Sequence, residues 1–423
     1  MSNPKLALIP SGYIGGSSPK VYSILPNDGS GDFTFDRNLA TGTRVRKDGL
    51  LETVAADTAR LSWLNADCPS LHLEAQRTNR QIRSEEFDNA AWTKQADMTV
   101  TANQVTSPTG ELTADKVKRG STVAANNYLS DGASKSSSAQ LDACTSVFVK
   151  QGDGDFFAFR AQGTYPNRMD AIFQFSNTTL TTSVSGADFT VTSSKVENYG
   201  NGWYRLSVVY NTDAAATIIS LFSPRGTSGQ VDSSDTSTSA FVYLWGCQVE
   251  EGASLTSYIK TGSGTTTRNA DTCTDAGDVN VFNSLEGVLY AEMAANSDDL
   301  TYRYVSVSDG TTQNSVAIRF SNISNQILVF TRIGGTFTAV LSTTSYTTTN
   351  FNKIAYRYKS GDFALFINGT KINSSTSTQI YTSNTLNTLN FNDGQFAPMS
   401  GKVKDLRYYD TALTDAELTE LTT

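Results

Sequence analysis

The fifteen residues Glu197–Asn211, ENYGNGWYRLSVVYN, place a Gly-Asn-Gly turn between two strand-like runs. Strict alternation of apolar residues in the second run predicts a β-strand with one apolar face. That face carries Tyr204, Leu206, Val208 and Tyr210. Trp203 and Arg205 fall on the opposite face, so Trp203 is out of register with the apolar stripe. The stretch therefore predicts a β-hairpin. Whether Trp203 belongs to a sugar-binding surface or to a core depends on the rest of the chain.

The composition points to a β-rich protein of extracellular or virion type. Charged residues make up 17% of the 423 residues, against about 25% in an ordinary globular protein. The 4 Trp, 18 Tyr and 21 Phe residues exclude a disordered chain. A net charge of −8 argues against a nucleic-acid partner, which requires a basic face. No apolar run reaches the ~18 residues of a membrane helix and residues 1–25 lack a signal peptide's apolar core, so a soluble protein without a membrane partner is expected.

Strand-like segments recur along most of the chain, which predicts an all-β fold of antiparallel β-sandwiches. One set, from CTSVFVK to SAFVYLWGCQVE, predicts a sandwich over residues 81–265. A second set, from EGVLYAEMA to GKVKDLRYYD, predicts another over residues 275–423. The stretch GSGTTTRNADT between them has the composition of a linker. Residues 1–80 have strand-like pieces but no strong core pattern, so they are expected to form an N-terminal attachment unit.

Two local motifs in the second set have defined geometry. In FALFINGTKI, Asn368-Gly369 predicts a tight hairpin turn. In ALTDAELTEL, Thr414 followed by Glu417 three residues later is a capping box, which predicts a short helix near the end of the sequence.

Six segments in order resemble the phage head spike fibre family over roughly residues 20–271. They are ATGTRVRKDGLLETVAAD, PSLHLEAQRTN, RSEEFDNAAWTK, ENYGNGWYRLSVVY, YLWGCQVEEGASLTSYIKT and TTTRNAD. Arg80, Arg83 and Cys247 depart from the usual pattern of that family. The hairpin and final helix of residues 280–423 resemble a concanavalin A-like, laminin-G-type sandwich. The first resemblance implies a virion surface protein with a jelly-roll domain like a carbohydrate-binding module, and neither implies a ligand.

The strand FVYLWGCQVE is apolar on both faces. Alternation puts Trp245 and Cys247 on one face and Val242 and Leu244 on the other. A strand of this kind has a second layer on each side, or a neighbouring subunit.

Residues for catalysis are scarce, so the sequence predicts a protein that is not an enzyme. His72 is the single histidine and lies between Leu71 and Leu73, as a strand residue would. The paired carboxylates of a glycosidase, at the spacing used by sandwich-fold glucanases, do not occur. No catalytic or cofactor-binding residue is predicted.

The sequence predicts no metal site, although two acidic turns leave structural calcium open as an alternative. Asp153 with Asp155, and Asp298 with Asp299, lie in turns of the kind that supply oxygen ligands, but the EF-hand spacing is missing. The cysteines, Cys68, Cys144, Cys247 and Cys273, form no C-x-x-C pair and are predicted to be reduced thiols. Cys144 and Cys247 lie on strands that would be neighbours, so they are the pair that could form a disulfide if the prediction of reduced thiols is wrong.

Aromatic side chains near turns are the candidates for sugar binding, because sugar rings stack on exposed aromatic faces. The candidates, for glycan contact or for an interface, are Tyr165, Tyr199, Trp203 and Tyr302. The competing interpretation is that these side chains fill sandwich cores. Arg205 is expected to stack over Trp203 as a cation–π pair.

The resemblance to head spike fibres implies a structural protein of a tailed bacteriophage virion, a head fibre, spike or capsid decoration protein. The alternative is a tail-borne receptor-binding adhesin for host surface glycans, and a glycan depolymerase is a third, less favoured candidate. Head and tail locations stay open. A homotrimer is expected, because symmetry covers exposed sheet edges.

Positive charge in the N-terminal segment suggests how the protein attaches to other virion proteins. Arg37, Arg44, Arg46 and Arg77 are the candidate attachment residues in a chain that is acidic overall. The alternative is that these arginines pair with Asp36, Asp48 and Glu52 of the same segment. If residues 1–80 serve attachment, a chain starting at about residue 82 is expected to stay folded and to fail to join the particle.

Overall fold

A computed structural model describes residues 3–8, 33–64, 66–121, 123 and 126–423. These residues form 31 strands and one helix, which confirms the all-β class. In chain order the first fifteen strands are β1 (Leu6–Leu8), β2 (Thr34–Asp36), β3 (Gly42–Val45), β4 (Leu51–Val54), β5 (Arg60–Ser62), β6 (Ser70–Leu73), β7 (Arg77–Asn79), β8 (Thr93–Lys94), β9 (Thr99–Thr106), β10 (Leu112–Lys118), β11 (Leu129–Ser134), β12 (Asp142–Asp153), β13 (Phe156–Gln162), β14 (Arg168–Gln174) and β15 (Thr179–Ser185). The remaining elements are β16 (Thr190–Gly200), β17 (Trp203–Asn211), β18 (Thr217–Arg225), β19 (Phe241–Glu251), β20 (Thr266–Arg268), β21 (Thr272–Thr274), β22 (Glu286–Ala295), β23 (Arg303–Ser308), β24 (Ser315–Phe320), β25 (Ile327–Ile333), β26 (Thr336–Thr343), β27 (Asn352–Lys359), β28 (Phe363–Ile367), β29 (Thr370–Ser375), β30 (Thr388–Asn390), β31 (Gly401–Tyr409) and α1 (Asp415–Thr422).

The chain divides into two compact units, each assembled from separate stretches of sequence. Unit 1 comprises the described residues of 1–41 with 54–76 and 269–423, and unit 2 comprises 42–53 and 77–268. Unit 2 therefore interrupts the sequence of unit 1.

Unit 2 contains two six-stranded antiparallel sheets that enclose one apolar core. Their strand orders are β16-β17-β12-β19-β10-β9 and β15-β14-β13-β18-β11-β8. The core draws large side chains from both sheets, such as Leu206 and Val249 from the first and Phe159 and Phe222 from the second. This is the antiparallel sandwich that the alternating segments of residues 81–265 predict.

The opening hairpin has the predicted form, and its Trp is a buried residue. Asn201 and Gly202 turn with φ of 51° and 79° between β16 and β17. Trp203 is 2% exposed, and its indole N–H donates to the carbonyl of Thr106 at 3.0 Å. The expected Arg205–Trp203 stack does not form, because the Arg205 guanidinium lies over the ring of Phe148 at 5.2 Å.

The strand β19 changes faces part-way along its length, which corrects the predicted placement of Cys247. The ladder between β12 and β19 shifts register between Ser146 and Phe148, opposite Gly246, whose φ is 61°. The extra residue of such a bulge reverses the alternation beyond it. Cys247 therefore packs in the core between the sheets, while Trp245 stays on the outer face against Phe148, with ring centroids 5.2 Å apart.

Unit 1 is also a sandwich, with a sheet of eight strands and a sheet of five. The order of the larger sheet is β29-β28-β27-β22-β31-β6-β5, with β1 also paired to β31, and that of the smaller is β26-β25-β24-β23-β30. Their inner faces share one core, to which Leu289 and Tyr356 come from the larger sheet and Ile318 and Val329 from the smaller.

The described part of residues 1–80 is divided between the two units and is not a unit of its own. Strands β1, β5 and β6 extend the eight-stranded sheet, and β2 pairs with β21. Leu6, Phe33 and Leu71 are buried in the core of unit 1. Each short strand has too few apolar residues for a core of its own, so the local pattern missed a core that the distant C-terminal strands complete. Residues 1–2, 9–32 and 65 of the predicted attachment unit lie outside the described residues.

The predicted linker is also part of the fold. Strand β20 pairs with β7 in unit 2, and β21 pairs with β2 in unit 1. Asp271, between them, is fully buried and accepts hydrogen bonds from the side chains of Arg37 and Arg60. A Gly- and Thr-rich composition suggested flexibility here, but short paired strands and a buried carboxylate use the same residue types.

Asp115 is a buried carboxylate in β10 of unit 2. It is 1% exposed and accepts hydrogen bonds from the backbone N–H groups of Phe87, at 2.9 Å, and Asn103, at 3.0 Å. Burial raises the pKa of Asp115 to about 6, despite these two donors. An unfolded Asp has a pKa of about 3.9, so between these values the folded state holds a proton that the unfolded state has lost. Stability that is fully present below pH ~4 is therefore lost as the pH rises through ~6.

We expect Asp115→Asn to remove this pH dependence. Relative to the variant, the wild-type protein should lose about 2 kcal/mol of unfolding free energy in unit 2 between pH 4 and pH 7. Urea denaturation of both proteins across this range, followed by tryptophan fluorescence, measures the difference. Parallel stability curves for the two proteins would contradict the prediction.

Candidate functional site

The outer faces of the two sheets in unit 1 are covered by different elements. The helix α1 packs on the outer face of the eight-stranded sheet, where Leu418 and Leu421 join a buried cluster that includes Tyr290 and Phe366. Its capping box forms as predicted, since Thr414 accepts from the N–H of Glu417 and the Glu417 side chain accepts from that of Thr414. The outer face of the five-stranded sheet carries a separate cluster of aromatic side chains, to which Ala397 from a loop is added.

This second surface is called the aromatic–arginine face here. Its members come from β23 to β26 and the residue just before β23, and they are Tyr302, Tyr304, Arg319, Phe330, Arg332 and Phe337. Alternation along each strand puts these side chains outside, while residues such as Val305, Ile318 and Val329 point into the core. Cross-strand register brings Arg319 opposite Tyr304 and Arg332 opposite Phe337.

Arg319 lies among three aromatic rings. Its guanidinium carbon is 4.7 Å from the ring centre of Tyr302, 5.6 Å from that of Tyr304 and 5.7 Å from that of Phe330. Its Nη1 donates to the Tyr304 hydroxyl at 3.0 Å. Cation–π contact and this hydrogen bond fix the guanidinium on the sheet surface.

Arg332 also lies near the ring of Phe330. Its guanidinium carbon is 5.6 Å from the ring centre of Phe330 and 5.8 Å from that of Phe337. The two rings meet edge to face with centroids 4.9 Å apart. Arg332 Nη2 donates to the carbonyl of Asp393 at 3.2 Å, which ties the arginine to the loop that carries Ala397. Both arginines therefore lie near one buried ring and are held in place by it.

The face combines buried support with exposed aromatic surface. Phe330 is fully buried, while Tyr302 is 41% exposed and Phe337 is 50% exposed. Val340 and Phe396 add further exposed apolar surface in the neighbouring strand and loop. Exposed apolar patches with polar groups at their edges are typical of binding sites.

The positive charge of this face is not neutralised by an ion pair within the part of the chain that the structure describes. Neither Arg319 nor Arg332 contacts a carboxylate there, whereas Arg303 of the same sheet pairs with Asp299 at 2.6 Å. The Asp393 carboxylate accepts the backbone N–H groups of its own loop, from Gln395 and Phe396.

The structure separates the four aromatic residues that the sequence singled out. Tyr302 belongs to the aromatic–arginine face. Tyr165 is 70% exposed in unit 2, beside Arg168 at 5.4 Å. Tyr199 and Trp203 are buried, because loops of unit 2 cover the outer face of their sheet, so neither faces a glycan.

The candidate attachment arginines are engaged within the fold. Arg37 is fully buried and pairs with Asp271, so it cannot meet a partner surface. Arg44 pairs with Glu52 at 2.6 Å and Arg46 with Asp48 at 2.5 Å, as the alternative interpretation expected.

Arg77 lies in β7, and its guanidinium packs against Gly252. The four arginines thus form no common exposed patch among the described residues.

The acidic turns serve local structure. Asp155 accepts from Gln174 and Ser176, and Asp299 from Thr301 and Arg303. Over the described ranges, no three His, Cys, Asp or Glu side chains gather in a way that could hold a metal ion. No helix in those ranges is long and apolar enough to cross a membrane.

His72 and the cysteines take structural positions. His72 lies in β6, as its flanking leucines predicted. Cys144 and Cys247 point to opposite faces of one sheet: Cys247 is in the core, and Cys144 lies on the side of Arg205 and Glu250. Burial raises the pKa of both thiols well above the ordinary value. All four cysteines are free thiols in the structure.

Comparison with protein families identifies the domain that carries the aromatic–arginine face. Residues 289–419 match the concanavalin A-like lectin/glucanases superfamily. The expected concanavalin A-like, laminin-G-type domain is thereby confirmed, and it includes all six residues of the face. The curated proteins contain no match to the chain. The resemblance of residues 20–271 to head spike fibres stays a prediction.

Solved structures similar to this chain include sugar-binding and laminin domains at low identity. One is the carbohydrate-binding module of a Ruminococcus gnavus sialidase bound to α2,3-sialyllactose, with 18% identity and a TM-score of 0.30, covering 35% of this chain and 92% of that one. Another is domain 4 of a Geobacillus stearothermophilus arabinanase with arabinotriose, with 14% identity and a TM-score of 0.31, covering 40% and 81%. Domains LG4–5 of the mouse laminin α1 chain show 9% identity and a TM-score of 0.24, covering 70% and 91%.

The sequence reasoning missed most of the face in the concanavalin A-like domain. Arg319, Arg332 and Phe337 lie on the polar side of strands whose apolar alternation was assigned to the core. The signal available was an Arg or Phe at an outward position in three successive strands, which is unusual where Thr and Ser otherwise occupy such positions.

Proposed function

We propose that this chain is a non-catalytic glycan-binding protein whose aromatic–arginine face takes the sugar. The observation that carries the proposal is the half-exposed pair Tyr302 and Phe337, held on a rigid sheet by Arg319, Phe330 and Arg332. The lectin-containing superfamily of the domain supports it.

Stacking is the physical basis of the proposed binding. The apolar C–H face of a sugar ring packs on an aromatic face, and the ring hydroxyls need donors and acceptors at its edge. Tyr302 and Phe337 supply exposed rings, and the Tyr302 hydroxyl and the two guanidinium groups supply polar partners. Because both rings are already packed against neighbouring side chains, Tyr302 by Arg319 and Phe337 by Phe330, little conformational entropy is lost on binding.

The proposal assigns the protein no reaction. No pair of carboxylates spans the aromatic–arginine face within the described residues, and its polar groups are cationic or neutral. The absence of a reaction is tested by incubating the protein with capsular polysaccharide and measuring the size of the products. Accumulation of shorter chains would show that the protein is a depolymerase and not only a binding protein.

The proposed setting is the surface of a tailed-phage virion, as a receptor-binding adhesin that recognises host surface glycans. The ordered resemblance of residues 20–271 to head spike fibres supports that setting. The same resemblance favours a second candidate, a head-fibre or decoration protein with a purely structural role. Antibody labelling of virions against residues 280–423 tests the location, and light scattering tests the proposed homotrimer.

We expect Tyr302→Ala and Phe337→Ala each to weaken glycan binding about 10-fold or more, as truncation of a central aromatic contact does. The wild-type protein and both variants are applied to a glycan array, and the affinity for the bound glycans is then measured by calorimetry. Both side chains are about half exposed and make one main packing contact each, so their removal should cost about 1 kcal/mol of stability and leave the domain folded.

Tyr165→Ala is the matched control, since it removes a more exposed tyrosine that also lies beside an arginine, in the other unit. Binding by the control should equal that of the wild type. If the wild-type protein binds no glycan above background, the purely structural role is the one that remains. If all three variants lose the same amount of affinity, the binding site does not lie on the aromatic–arginine face.

A further inference from the structure

We propose that the aromatic–arginine face selects acidic glycans, which carry a carboxylate or a sulfate on the sugar. The inference rests on the proposed function and adds the class of ligand. It follows from the charge and the free donors of Arg319 and Arg332.

Each arginine leaves hydrogen-bonding capacity unused. Arg319 donates from Nη1 to the Tyr304 hydroxyl, and Arg332 donates from Nη2 to the Asp393 carbonyl. Among the described residues, Nη2 of Arg319 and Nη1 of Arg332 have no hydrogen-bond partner. A guanidinium nitrogen of this kind makes its strongest hydrogen bonds to an anionic oxygen. Both guanidinium groups lie within 5.7 Å of the Phe330 ring centre, so they present two donors on one surface.

The lack of a carboxylate partner distinguishes these arginines from Arg168 and Arg407, which also lie beside tyrosine rings. Arg168, beside the exposed Tyr165, pairs with Asp170 at 3.1 Å, and Arg407, over the ring of Tyr290, pairs with Asp405 at 2.6 Å. In both places an aromatic–arginine contact already contains its counter-charge. A protein of net charge −8 that keeps two guanidinium groups unneutralised beside exposed aromatic rings has a local field suited to an anion.

A neutral sugar would use this face less well. It would stack on Tyr302 and Phe337 but would hydrogen-bond the two cations only through hydroxyl groups, which are weaker partners than anionic oxygens. An acidic sugar satisfies the same stacking and neutralises the charge. Binding should therefore weaken as salt concentration rises, because exposed charges are screened.

The test uses an array of oligosaccharides in matched sets with one backbone: neutral, carboxylated, methyl-esterified at the carboxylate, and sulfated. We expect the carboxylated or sulfated member to bind at least about 10-fold more tightly than its neutral counterpart. Arg319→Gln and Arg332→Gln should each reduce that preference about 10-fold, whereas Arg319→Lys should keep part of it. Carboxylate and sulfate arms show which anion is preferred.

Arg407→Gln is the control, because it removes an arginine that also lies over an aromatic ring but has its own carboxylate. It should bind as the wild type does. Equal binding of neutral and acidic members, or unchanged preference in the Arg319 and Arg332 variants, would overturn the inference and leave glycan binding intact. Binding of no member at all would overturn the proposed function instead. Circular dichroism and thermal unfolding of each variant separate a loss of selectivity from a loss of fold.

Discussion

A chain that begins at Ile82 is expected to lose the folded structure of unit 1. The truncation removes β1, β5 and β6 from the eight-stranded sheet, so β31 keeps only its ladder with β22. It also removes Ala59 and seven large buried side chains from the core, namely Leu6, Leu8, Phe33, Phe35, Leu61, Leu71 and Leu73. At ~1.5–3 kcal/mol for each, the loss is on the order of 10 kcal/mol, as large as the whole stability of a typical domain.

Hydrogen exchange in β22 and β27 measures this effect directly, since protection of central strands reports the unfolding of the whole unit. In the truncated chain these strands should exchange as rapidly as an unfolded peptide. A control chain that begins at Lys5 keeps β1 and should exchange as the full chain does. The sequence alone gave the opposite expectation, a truncated protein that stays folded and fails only to attach. Full protection in the truncated chain would restore that interpretation.

Asp271→Ala is expected to destabilise unit 1 by about 3–5 kcal/mol, because it leaves buried arginines without their counter-charge. Asp271 is 1% exposed, accepts from Arg37 Nε at 2.7 Å and from the N–H of Glu74 at 2.8 Å, and also pairs with Arg60. Burial by itself would lower the pKa of Arg60, but Glu74 and Asp271 raise it above the ordinary value. The buried arginines and carboxylates of this cluster therefore keep one another charged.

Asp410→Asn provides the comparison, since Asp410 pairs with Lys5 in the same unit at 3.4 Å but is partly exposed. An exposed pair contributes about 0–1 kcal/mol, so this variant should be close to the wild type. Hydrogen exchange of β22 in increasing urea gives the free energy for both variants. If Asp271→Ala lost no more unfolding free energy than Asp410→Asn, the buried ion pairs of Asp271 would not be needed for the stability of unit 1.

The features that the sequence predicted are those encoded within a few neighbouring residues. The turns at Asn201-Gly202 and Asn368-Gly369 have positive φ, and the capping box of Thr414 starts the helix. Strand alternation predicted the sandwich class and the inward face of β17. These patterns depend on local backbone preference and on the period of the strand, so they can be seen without knowledge of the partner strand.

The features that the sequence did not predict depend on partners far away in the chain. Arg37 and Asp271 are 234 residues apart, and nothing near Arg37 shows that its charge is buried. Only Tyr302 of the aromatic–arginine face was singled out. The rest of that face depends on the register of four strands and on which sheet α1 covers, and neither is visible in a local pattern.

The interrupted sequence of unit 1 has a consequence for synthesis of the protein. Strands β1, β5 and β6 leave the ribosome well before β31, with which β1 and β6 pair, and the whole of unit 2 is made between them. Unit 2 has all its residues once Arg268 has emerged, so it can fold while unit 1 is incomplete. During that interval the early strands of unit 1 carry apolar side chains and unpaired edges, the features that recruit chaperones or neighbouring chains. Slow translation between β21 and β31 should therefore increase aggregation of the nascent chain.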